Sequence, residues 1–537
     1  MKKRVTAIMG TALACAMTAG LLAGCGQGQG TESSGGGGNS TAPSASSSQE
    51  SVAAPDTDTE TVTLPLAESR TFTMFAAANG EYELPDVLGF QELEAETNIH
   101  WEVQSVNTAD LTEKKGLLLA SGNYPDVLFK ADLTQAEITK YGSQGVLLPL
   151  NDYIEKYAPN LKAALDKWDA WDRITAADGN IYALPQLDSS TPGGQSYWIN
   201  QQWIDNLGLK EPASLDELYN VLKAFKEKDA NGNGDDGDEI PFSCAPAIMP
   251  EHLLPYFGIT YDASSRFALI DGELVYAPKS DTYKEFVAYV EKLYEEGLLD
   301  KNSFTQTLDQ FISIAQSGDI VGSFFGPGAF PFVGRERDPE YHILTPFEEG
   351  VVPVNPGITT GTFAITDKCE NPEIIMAWVD RLYTQEGGIL AWMGVEDKSY
   401  EMNDDGTWKW MLGEYGDDIG AVRGKAAFMG SAFGPFVQPE LWFKGIDDKE
   451  EARLNQERSR VAEMGVEFPA LSFDEAQAKT IATYKADLDK YVDTYLAEVA
   501  TGIKDLDSTW QEYVTTLEAM GAKEIEAIYQ EKYQAAK

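Results

Sequence analysis

The densest group of side chains that could bind a metal lies at residues 229–241 (DANGNGDDGDEIP). Asp229, Asn231 and Asn233 stand at positions 1, 3 and 5 and a glycine follows at position 6, as in the first half of a calcium loop. Calcium needs six or more oxygen ligands, and so many acidic groups in one turn would repel one another without a cation. The alternative is a solvated turn rich in Asn and Gly.

The second half of this loop departs from the EF-hand pattern, because Ile240 occupies position 12, where a bidentate Glu is usual. Asp238 and Glu239 would then have to close the site. A hydrolytic metal would need an open position and a base, and the sequence identifies neither. We therefore predict a structural Ca²⁺ whose ligands are drawn from Asp229, Asn231, Asn233, Asp235, Asp238 and Glu239.

Aromatic residues near turns form a second group with possible chemistry. Sugar rings present flat C–H faces that stack on aromatic rings, while carboxylates and amides bind their hydroxyls. Core packing is the alternative for any single Trp, and Trp203 and Trp378 are predicted core residues because they lie on apolar helix stripes. The candidates for stacking are Tyr197, Trp198, Trp392, Trp408, Trp410, Phe436 and Trp442.

Known catalytic arrangements are missing from the sequence. It contains no G-x-S-x-G, G-x-x-x-x-G-K-[ST], H-E-x-x-H or C-x-x-C motif. His100, His252 and His342 are too scattered for histidine catalysis or a zinc site. A glycosidase pair of carboxylates stays open, because among 86 acidic residues such pairs carry little information.

Composition indicates a globular protein, with 43% hydrophobic and 11% aromatic residues. A chain of 537 residues exceeds one ordinary core, so we expect two domains. The net charge of −45 argues against nucleic acid and anionic membrane surfaces as partners. Cys244 and Cys369 could pair, but there is no disulfide framework.

The first residues resemble a bacterial lipoprotein signal peptide. Three basic residues precede an apolar stretch, which ends at residues 22–25 (LAGC) like a lipobox, whose cysteine carries diacylglycerol. We predict cleavage after residue 24 and lipidation of Cys25; an ordinary cleaved signal is the alternative. Residues 25–65 are rich in Gly and Ser and are predicted to be a flexible tether, reaching about 30–35 Å.

The elements that position these groups alternate between strand and helix. A strand at 70–75 is followed by a helix at 87–97, a strand at 99–103, a helix at 112–120 and a strand ending at 129, which indicates an α/β fold.

Three later helices have recognisable starts. Ser214 with Glu217, and Ser472 with Glu475, have the spacing of a capping box, and the second pair would open a long helical C-terminal region. Asn371 before Pro372 predicts a third helix start.

Several segments together resemble extracellular solute-binding proteins of carbohydrate ABC importers (family 1). Residues 121–127 (SGNYPDV) and 145–151 (GVLLPLN) are similar to the N-terminal half of that family, and residues 178–185 (DGNIYALP) and 361–365 (GTFAI) to its crossovers between lobes. The acidic loop resembles that of a large calcium-binding lipoprotein subgroup, with one residue more.

This resemblance implies a two-lobed periplasmic-binding-protein-like fold of type II with a crossover-strand hinge. The N-terminal lobe is expected at 66–184 and 356–430, and the C-terminal lobe at 185–355 and 431–537. It also implies a monomer that is not an enzyme, that captures a sugar in the cleft between the lobes, and whose closed form docks on an ABC permease. The expected location is the outer face of a Gram-positive-type cell membrane.

Loops after the first strands and near the crossovers should line the cleft. Arg173, Arg335 and Arg423 leave room for an acidic sugar. A surface glycoside-active enzyme and a peptide-binding lipoprotein are the alternatives. The predicted ligand contacts are Asn79, Tyr82, Asp126, Tyr197, Trp198, Trp392 and Glu396.

Overall fold

A computed structural model describes residues 62–80, 82–188, 191–192, 195–245, 250–345, 347, 352–355, 357–429, 433–462 and 465–537. The predicted signal peptide, the lipidation at Cys25 and the tether up to residue 61 lie outside the described residues. No helix within these described ranges is long and apolar enough to span a membrane.

The strands are mostly short. They are β1 Arg70–Ala77, β2 Ile99–Val106, β3 Val127–Phe129, β4 Leu184–Leu187, β5 Thr191–Pro192, β6 Ser196–Asn200, β7 Thr260–Asp262, β8 Phe267–Ile270, β9 Glu273–Tyr276, β10 Ser323–Gly326, β11 Tyr341–Ile343, β12 Val352–Asn355, β13 Ile358–Ile365, β14 Tyr400–Met402, β15 Trp408–Trp410 and β16 Gly465–Glu467.

The helices become longer toward the C-terminus. They are α1 Leu88–Thr97, α2 Leu111–Ser121, α3 Gln135–Ser143, α4 Asn151–Tyr157, α5 Pro159–Trp168, α6 Trp171–Ile174, α7 Gln201–Asn206, α8 Leu215–Glu227, α9 Asp281–Glu295, α10 Leu308–Gln316, α11 Phe330–Val333, α12 Pro372–Asp380, α13 Gln385–Trp392, α14 Ile419–Ala426, α15 Lys449–Ala462, α16 Glu475–Ala500, α17 Leu506–Leu517 and α18 Lys523–Ala536.

The N-terminal lobe is built on a mixed sheet of order β2-β1-β3-β13-β4. The first three strands are parallel, while β13 is antiparallel to both β3 and β4. β1 changes from exposed to fully buried along its length because helices cover its later residues. The buried residues of this lobe extend from Phe72 to Leu187 and from Ile358 to Val437, with a small outer group around Trp408 and Trp442.

The C-terminal lobe has a separate hydrophobic core, from Tyr197 to Phe347 and from Leu454 to Tyr529. Its sheet has the order β10-β6-β11, with all neighbours antiparallel. Isolated bridges from Ile240 to Val321 and from Ser243 to Phe324 place the chain after the acidic loop beside this sheet, in the extended direction predicted, but no regular strand forms there. The helix α8 buries Leu218, Val221, Leu222 and Phe225, the apolar stripe of an amphipathic helix.

Three segments cross between the lobes. The chain leaves β4 for β6 through β5, returns through β12 to β13, and crosses again between Val437 and α15. In the last crossing, the Leu187 amide donates to Phe436 O (2.9 Å) and Gln438 N to Leu187 O (2.7 Å). This segment lies along β4, and its residues Phe436 and Val437 pack in the core of the N-terminal lobe. The lobe bounds expected from the sequence stay a prediction.

The predicted helix starts were partly correct. Ser214 accepts a hydrogen bond from the Glu217 amide, and Pro372 is the first residue of α12. The Ser472–Glu475 box is wrong, because α16 begins after Asp474, whose carboxylate pairs with Gln477 in a capping box two residues later. Cys244 and Cys369 are buried in the cores of different lobes, so they do not pair with each other in this structure.

Candidate functional site

Four side chains of the N-terminal lobe meet where the last crossing begins: Trp392, Arg423, Phe436 and Trp442, here called the aromatic–arginine cluster. The rings of Trp392 and Phe436 are stacked with centroids 5.4 Å apart, and Trp442 meets Trp392 edge-on at 5.7 Å. The Arg423 guanidinium lies 4.2 Å from the Trp392 ring and 5.0 Å from the Trp442 ring. Trp392 and Arg423 are half-buried, whereas the other two are buried, so the cluster has a solvent-accessible side.

The C-terminal lobe brings charged groups to this cluster on α15. This helix belongs to that lobe because Arg453 donates to Tyr341 O (2.7 Å) and Glu457 accepts from the Ile343 amide (3.1 Å). Burial lowers the pKa of the Arg423 guanidinium, and the carboxylates of Glu451 and Asp448 act in the opposite direction. Arg423 therefore faces acidic groups across the lobe boundary.

A second electrostatic contact crosses the boundary between Arg458 of α15 and Asp188, directly after β4. Burial raises the pKa of the Asp188 carboxyl, and Gln186 and Arg458 oppose the shift. Burial lowers the pKa of Arg458, and Glu451 and Asp188 oppose that shift. Opposite charges from the two lobes thus meet beside the crossing strands.

Several hydrogen-bond donors in this region are buried and have no partner among the residues that the structure describes. They are Nε1 of Trp392, Nε of Arg423 and Nε of Arg458. A buried donor without an acceptor costs about 1–3 kcal/mol, and core residues such as Trp101 and Trp378 also carry such donors. The three donors here differ because they lie together on residues that are half-buried. A ligand with several acceptor oxygens would satisfy them.

The segment that carries Arg423 is fixed by residues at the carboxyl ends of β1 and β3. Asn79 Nδ2 donates to Gly424 O (2.7 Å) and Ala427 O (2.8 Å). Lys130 Nζ donates to Phe428 O (2.8 Å) and lies 3.4 Å from Asn79 Oδ1. Burial lowers the pKa of Lys130 to about 7. The carboxyl ends of parallel strands are where open α/β sheets usually bind ligands.

Three of the predicted ligand residues, Asn79, Tyr82 and Trp392, lie at or next to the aromatic–arginine cluster. Asn79 is only 1% exposed, so it positions the segment after Arg423. Tyr82 pairs with Asn79 through the backbone, and its ring lies against Gly424, where a Cβ would approach it to 3.0 Å. Trp392 belongs to the aromatic–arginine cluster.

The other predicted ligand residues lie elsewhere. Asp126 precedes β3, at the amino end of the strand, where it accepts from the amide (2.8 Å) and the hydroxyl (2.7 Å) of Thr73. Tyr197 and Trp198 are core residues, since β6 is the central strand of its sheet; Trp198 Nε1 donates to Gly326 O (3.0 Å). Glu396 is exposed in the turn before β14.

Ligand contacts of Asp126, Tyr197, Trp198 and Glu396 stay predictions, although the structure places these residues away from the aromatic–arginine cluster. Lys130, Asp188, Glu451 and Arg458 lie near the cluster and were not among the residues expected from the sequence. Only Lys130 carried a signal, as a charged residue directly after a buried strand.

The acidic loop lies in the C-terminal lobe, between α8 and the extended segment at Ile240. Asn231 Nδ2 donates to Asp238 Oδ1 (3.2 Å), and Asn233 Nδ2 donates to Asp238 Oδ2 (2.8 Å). Asp229 Oδ2 accepts from the Gly234 amide (2.9 Å) and Glu239 Oε1 from the Ala230 amide (2.8 Å). The described residues contain no group of three or more His, Cys, Asp or Glu arranged to hold a metal ion.

Two oxygens of this loop are nevertheless buried without a donor: Asp229 Oδ1 and Glu239 Oε2. Burial raises the pKa of the Glu239 carboxyl, opposed by the hydrogen bond from the Ala230 amide. Carboxylate oxygens that lack a donor suit a hard cation, so these residues fit calcium.

A separate cavity of about 450 Å³ lies on the N-terminal lobe around α4, lined by residues including Tyr153 and Tyr157. None of the predicted ligand residues lines it.

Comparison with known proteins gives consistent results. The family model for bacterial extracellular solute-binding proteins matches residues 75–389. The fructooligosaccharide ABC transporter substrate-binding protein FusA of Streptococcus pneumoniae is 28% identical over 512 residues, covering 88% of this chain and 92% of that protein. The polygalacturonan/rhamnogalacturonan-binding protein YtcQ of Bacillus subtilis is 24% identical over 60% of this chain and 65% of its own length.

Solved structures agree on the architecture. The structure of S. pneumoniae FusA in complex with kestose has a TM-score of 0.72 and 26% identity, covering 87% of this chain and all of that one. A solute-binding protein from Bifidobacterium longum infantis, described as binding HMO, has a TM-score of 0.75 at 22% identity, covering 87% of this chain and 99% of its own. The fold is therefore the two-lobed α/β fold of solute-binding proteins.

Proposed function

Because the chain belongs to the bacterial extracellular solute-binding protein family, we propose that it binds an oligosaccharide between its lobes and delivers it to an ABC permease. FusA, which covers nearly the whole chain, carries a name that assigns it fructooligosaccharides and an ABC transporter. A family of binding proteins also favours capture without turnover, so no bond of the sugar is made or broken.

The observation that carries this proposal is the aromatic–arginine cluster with its unpartnered donors. The half-buried Trp392 ring offers a flat apolar face to a sugar ring. Arg423 Nε and Trp392 Nε1 are buried donors without acceptors, and sugar hydroxyl and ring oxygens can accept from them. Few other ligand classes combine flat apolar faces with so many acceptor oxygens.

The division of the site between two lobes provides a signal for delivery. Trp392 and Arg423 belong to the N-terminal lobe, whereas Glu451 and Arg458 lie on α15 of the C-terminal lobe. A ligand that contacts both sets does so only when the lobes are closed, so binding shifts the population toward the closed form. The permease would recognise that form.

The acidic loop is proposed to hold a structural Ca²⁺ through Asp229 and Glu239, with Asn231, Asn233, Asp235 and Asp238 completing the ligand set. The ion would neutralise the acids and fix the turn that leads into the extended segment at Ile240. Two of the similar solved structures are those of an EF-hand mutant of FusA and of the alginate-binding protein AlgQ2 without calcium ion.

At the membrane, a lipid on Cys25 and the tether up to residue 65 are proposed to hold a monomeric receptor on the outer face of a Gram-positive-type cell envelope. The family is extracellular by description, which supports this location. A reach of some tens of ångströms would let the receptor find a permease without diffusing away.

The test is a thermal-shift screen of the soluble protein against neutral and acidic oligosaccharides and peptides, with product analysis after incubation. We expect at least one oligosaccharide to raise Tm without any product, and Trp392→Ala to weaken its binding by about tenfold or more. Trp171→Ala is the matched control, because Trp171 is also half-buried in the N-terminal lobe but its Nε1 already donates to Asp166 (2.7 Å). Stabilisation by peptides alone, or release of a sugar product, would overturn the proposal.

A further inference from the structure

The charges around the aromatic–arginine cluster bear on the class of sugar it can accept. Three guanidiniums, of Arg335, Arg423 and Arg458, lie among four carboxylates, of Asp188, Asp448, Glu450 and Glu451. The question is whether any positive charge remains for an acidic sugar.

Arg335 is already neutralised within its own lobe. Its guanidinium lies 3.2 Å from Asp448 and 2.6 Å from Glu450. It also lies 5.1 Å from the ring of Phe330, so its position is set by packing as well as by charge.

Arg423 and Arg458 both interact electrostatically with the carboxylate of Glu451. Arg423, Asp448, Arg458 and Arg335 all act on its carboxyl, whose pKa burial raises. No Lys or Arg nitrogen of the described residues lies within 4 Å of the Glu451 carboxylate. The carboxylate therefore offsets the positive charges of Arg423 and Arg458 from a distance. Its oxygens stay free to accept hydrogen bonds from a ligand. Arg458 is further offset by Asp188.

Beyond residue 61, the residues that the structure does not describe add no cation to this count. Between residues 62 and 537, the residues that the structure does not describe contain no Lys, Arg or His, while Glu348, Glu349 and Glu463 are among them. Lys130, whose Nζ donates to Phe428 O, adds only part of a positive charge at neutral pH, because burial lowers its pKa to about 7. The four carboxylates therefore offset the cations around the cluster.

We propose that this site is selective for uncharged oligosaccharides and that Glu451 is the residue that sets the selectivity. The Glu451 carboxylate accepts hydrogen bonds from sugar hydroxyls, while Nε of Arg423 and of Arg458 donate to sugar oxygens. A uronic acid would bring a carboxylate beside Glu451 without a cation in surplus, and like charges in a partly desolvated site repel. This inference rests on the proposed function and deepens it.

The known relatives make the distinction worth testing. FusA is named for fructooligosaccharides, which are uncharged, whereas YtcQ is named for polygalacturonan and rhamnogalacturonan, which contain uronic acids. Similarity to both at 28% and 24% identity does not decide between the two classes.

The experiment measures Kd by calorimetry for neutral probes (kestose, nystose, maltotriose, xylotriose) and uronate probes (trigalacturonate, trimannuronate) on the wild type, Glu451→Gln and Glu498→Gln. We expect the wild type to bind a neutral probe at least about tenfold more tightly than any uronate, and Glu451→Gln to move that ratio about tenfold toward uronates. Glu498→Gln is the control, because it removes the same charge from α16 of the C-terminal lobe, where Glu498 pairs with Lys504 (2.8 Å) and is not one of the carboxylates around the cluster. It should change the ratio less than about twofold.

Uronates binding the wild type as tightly as neutral sugars would overturn the inference and leave the proposed function standing. An unchanged ratio in a Glu451→Gln protein of wild-type Tm would overturn the role of Glu451. If no sugar binds and peptides do, the proposed function itself fails.

Discussion

The side-chain amide of Asn79 donates to the carbonyl oxygen of Gly424 over 2.7 Å and so ties the end of β1 to the residue beside Arg423. The same amide also donates to Ala427 O, so a single side chain holds the end of α14. This contact joins residues 345 positions apart and fixes the guanidinium that lies over the two tryptophan rings.

Asn79→Ala should therefore weaken ligand binding, although the Asn79 side chain does not itself contact the ligand. Losing both donors leaves two carbonyl oxygens unsatisfied, so the free energy of unfolding should fall by about 1–3 kcal/mol. Calorimetry and urea unfolding measure the two effects. Asn160→Ala is the control, because its amide donates to Asp380 (2.7 Å) in the same lobe. It should cost stability but leave Kd unchanged, and equal effects of both variants on Kd would contradict the positioning role.

Lys130 should make stability depend on pH. Burial lowers its pKa to about 7 in the folded chain, while the unfolded chain keeps the ordinary lysine pKa of 10.5. Between these values the unfolded chain binds more protons, so the contribution of Lys130 rises with pH from about 7 to 10.5, by at most about 1.4 kcal/mol per unit.

The measurement is urea unfolding of the wild type and Lys130→Met between pH 6.5 and 9. We expect the wild type to gain stability relative to the variant as pH rises. A difference that stays constant across this range would show that Lys130 titrates normally.

Calcium should stabilise the C-terminal lobe through Glu239. Removing the ion with a chelator should lower Tm, and Glu239→Gln should abolish that response because the buried Oε2 loses its charge. Asp236→Asn removes a charge at an exposed position of the same loop and should keep the response. A chelator that leaves Tm unchanged would rule out the proposed ion.

Cys25→Ser should abolish incorporation of labelled fatty acid and release the protein into the medium. Cys15→Ser is the control, because Cys15 lies within the segment that we propose is cleaved off, so this change should leave labelling intact. Fatty-acid labelling of the Cys25→Ser chain would contradict the anchor.

Much of the N-terminal lobe could be predicted from local patterns. The strand expected at 70–75 is β1, and the helix expected at 87–97 is α1. These elements could be predicted because the spacing of apolar residues, every second residue in a strand and every 3.6 residues in a helix, follows which side chains are buried. The start of α16 could not be resolved in the same way. Ser472 with Glu475 and Asp474 with Gln477 both have capping-box spacing, and Ser472 instead donates to Thr175 O (3.1 Å) across the lobes.

The site was less predictable because it depends on contacts distant in sequence. Asp126 and Lys130 flank the same short strand, and only the parallel pairing of β3 with β1 shows which end faces the cluster. Trp198 and Trp392 both lie near turns in the sequence, which does not distinguish a core residue from a surface residue. In the structure, Trp198 lies on β6, which has a neighbouring strand on each side, whereas Trp392 is the last residue of α13 and lies beside the crossing segment. The approach of Glu451 to Arg423 depends on the packing of α15, which no local pattern reveals.

A crystal structure with a bound oligosaccharide tests the central claim most directly. We predict a sugar ring stacked on the exposed face of Trp392, about 4 Å away, with a sugar oxygen accepting from Arg423 Nε and a hydroxyl donating to Glu451. A sugar bound with Trp392 and Arg423 uncovered, for example in the cavity around α4, would contradict it.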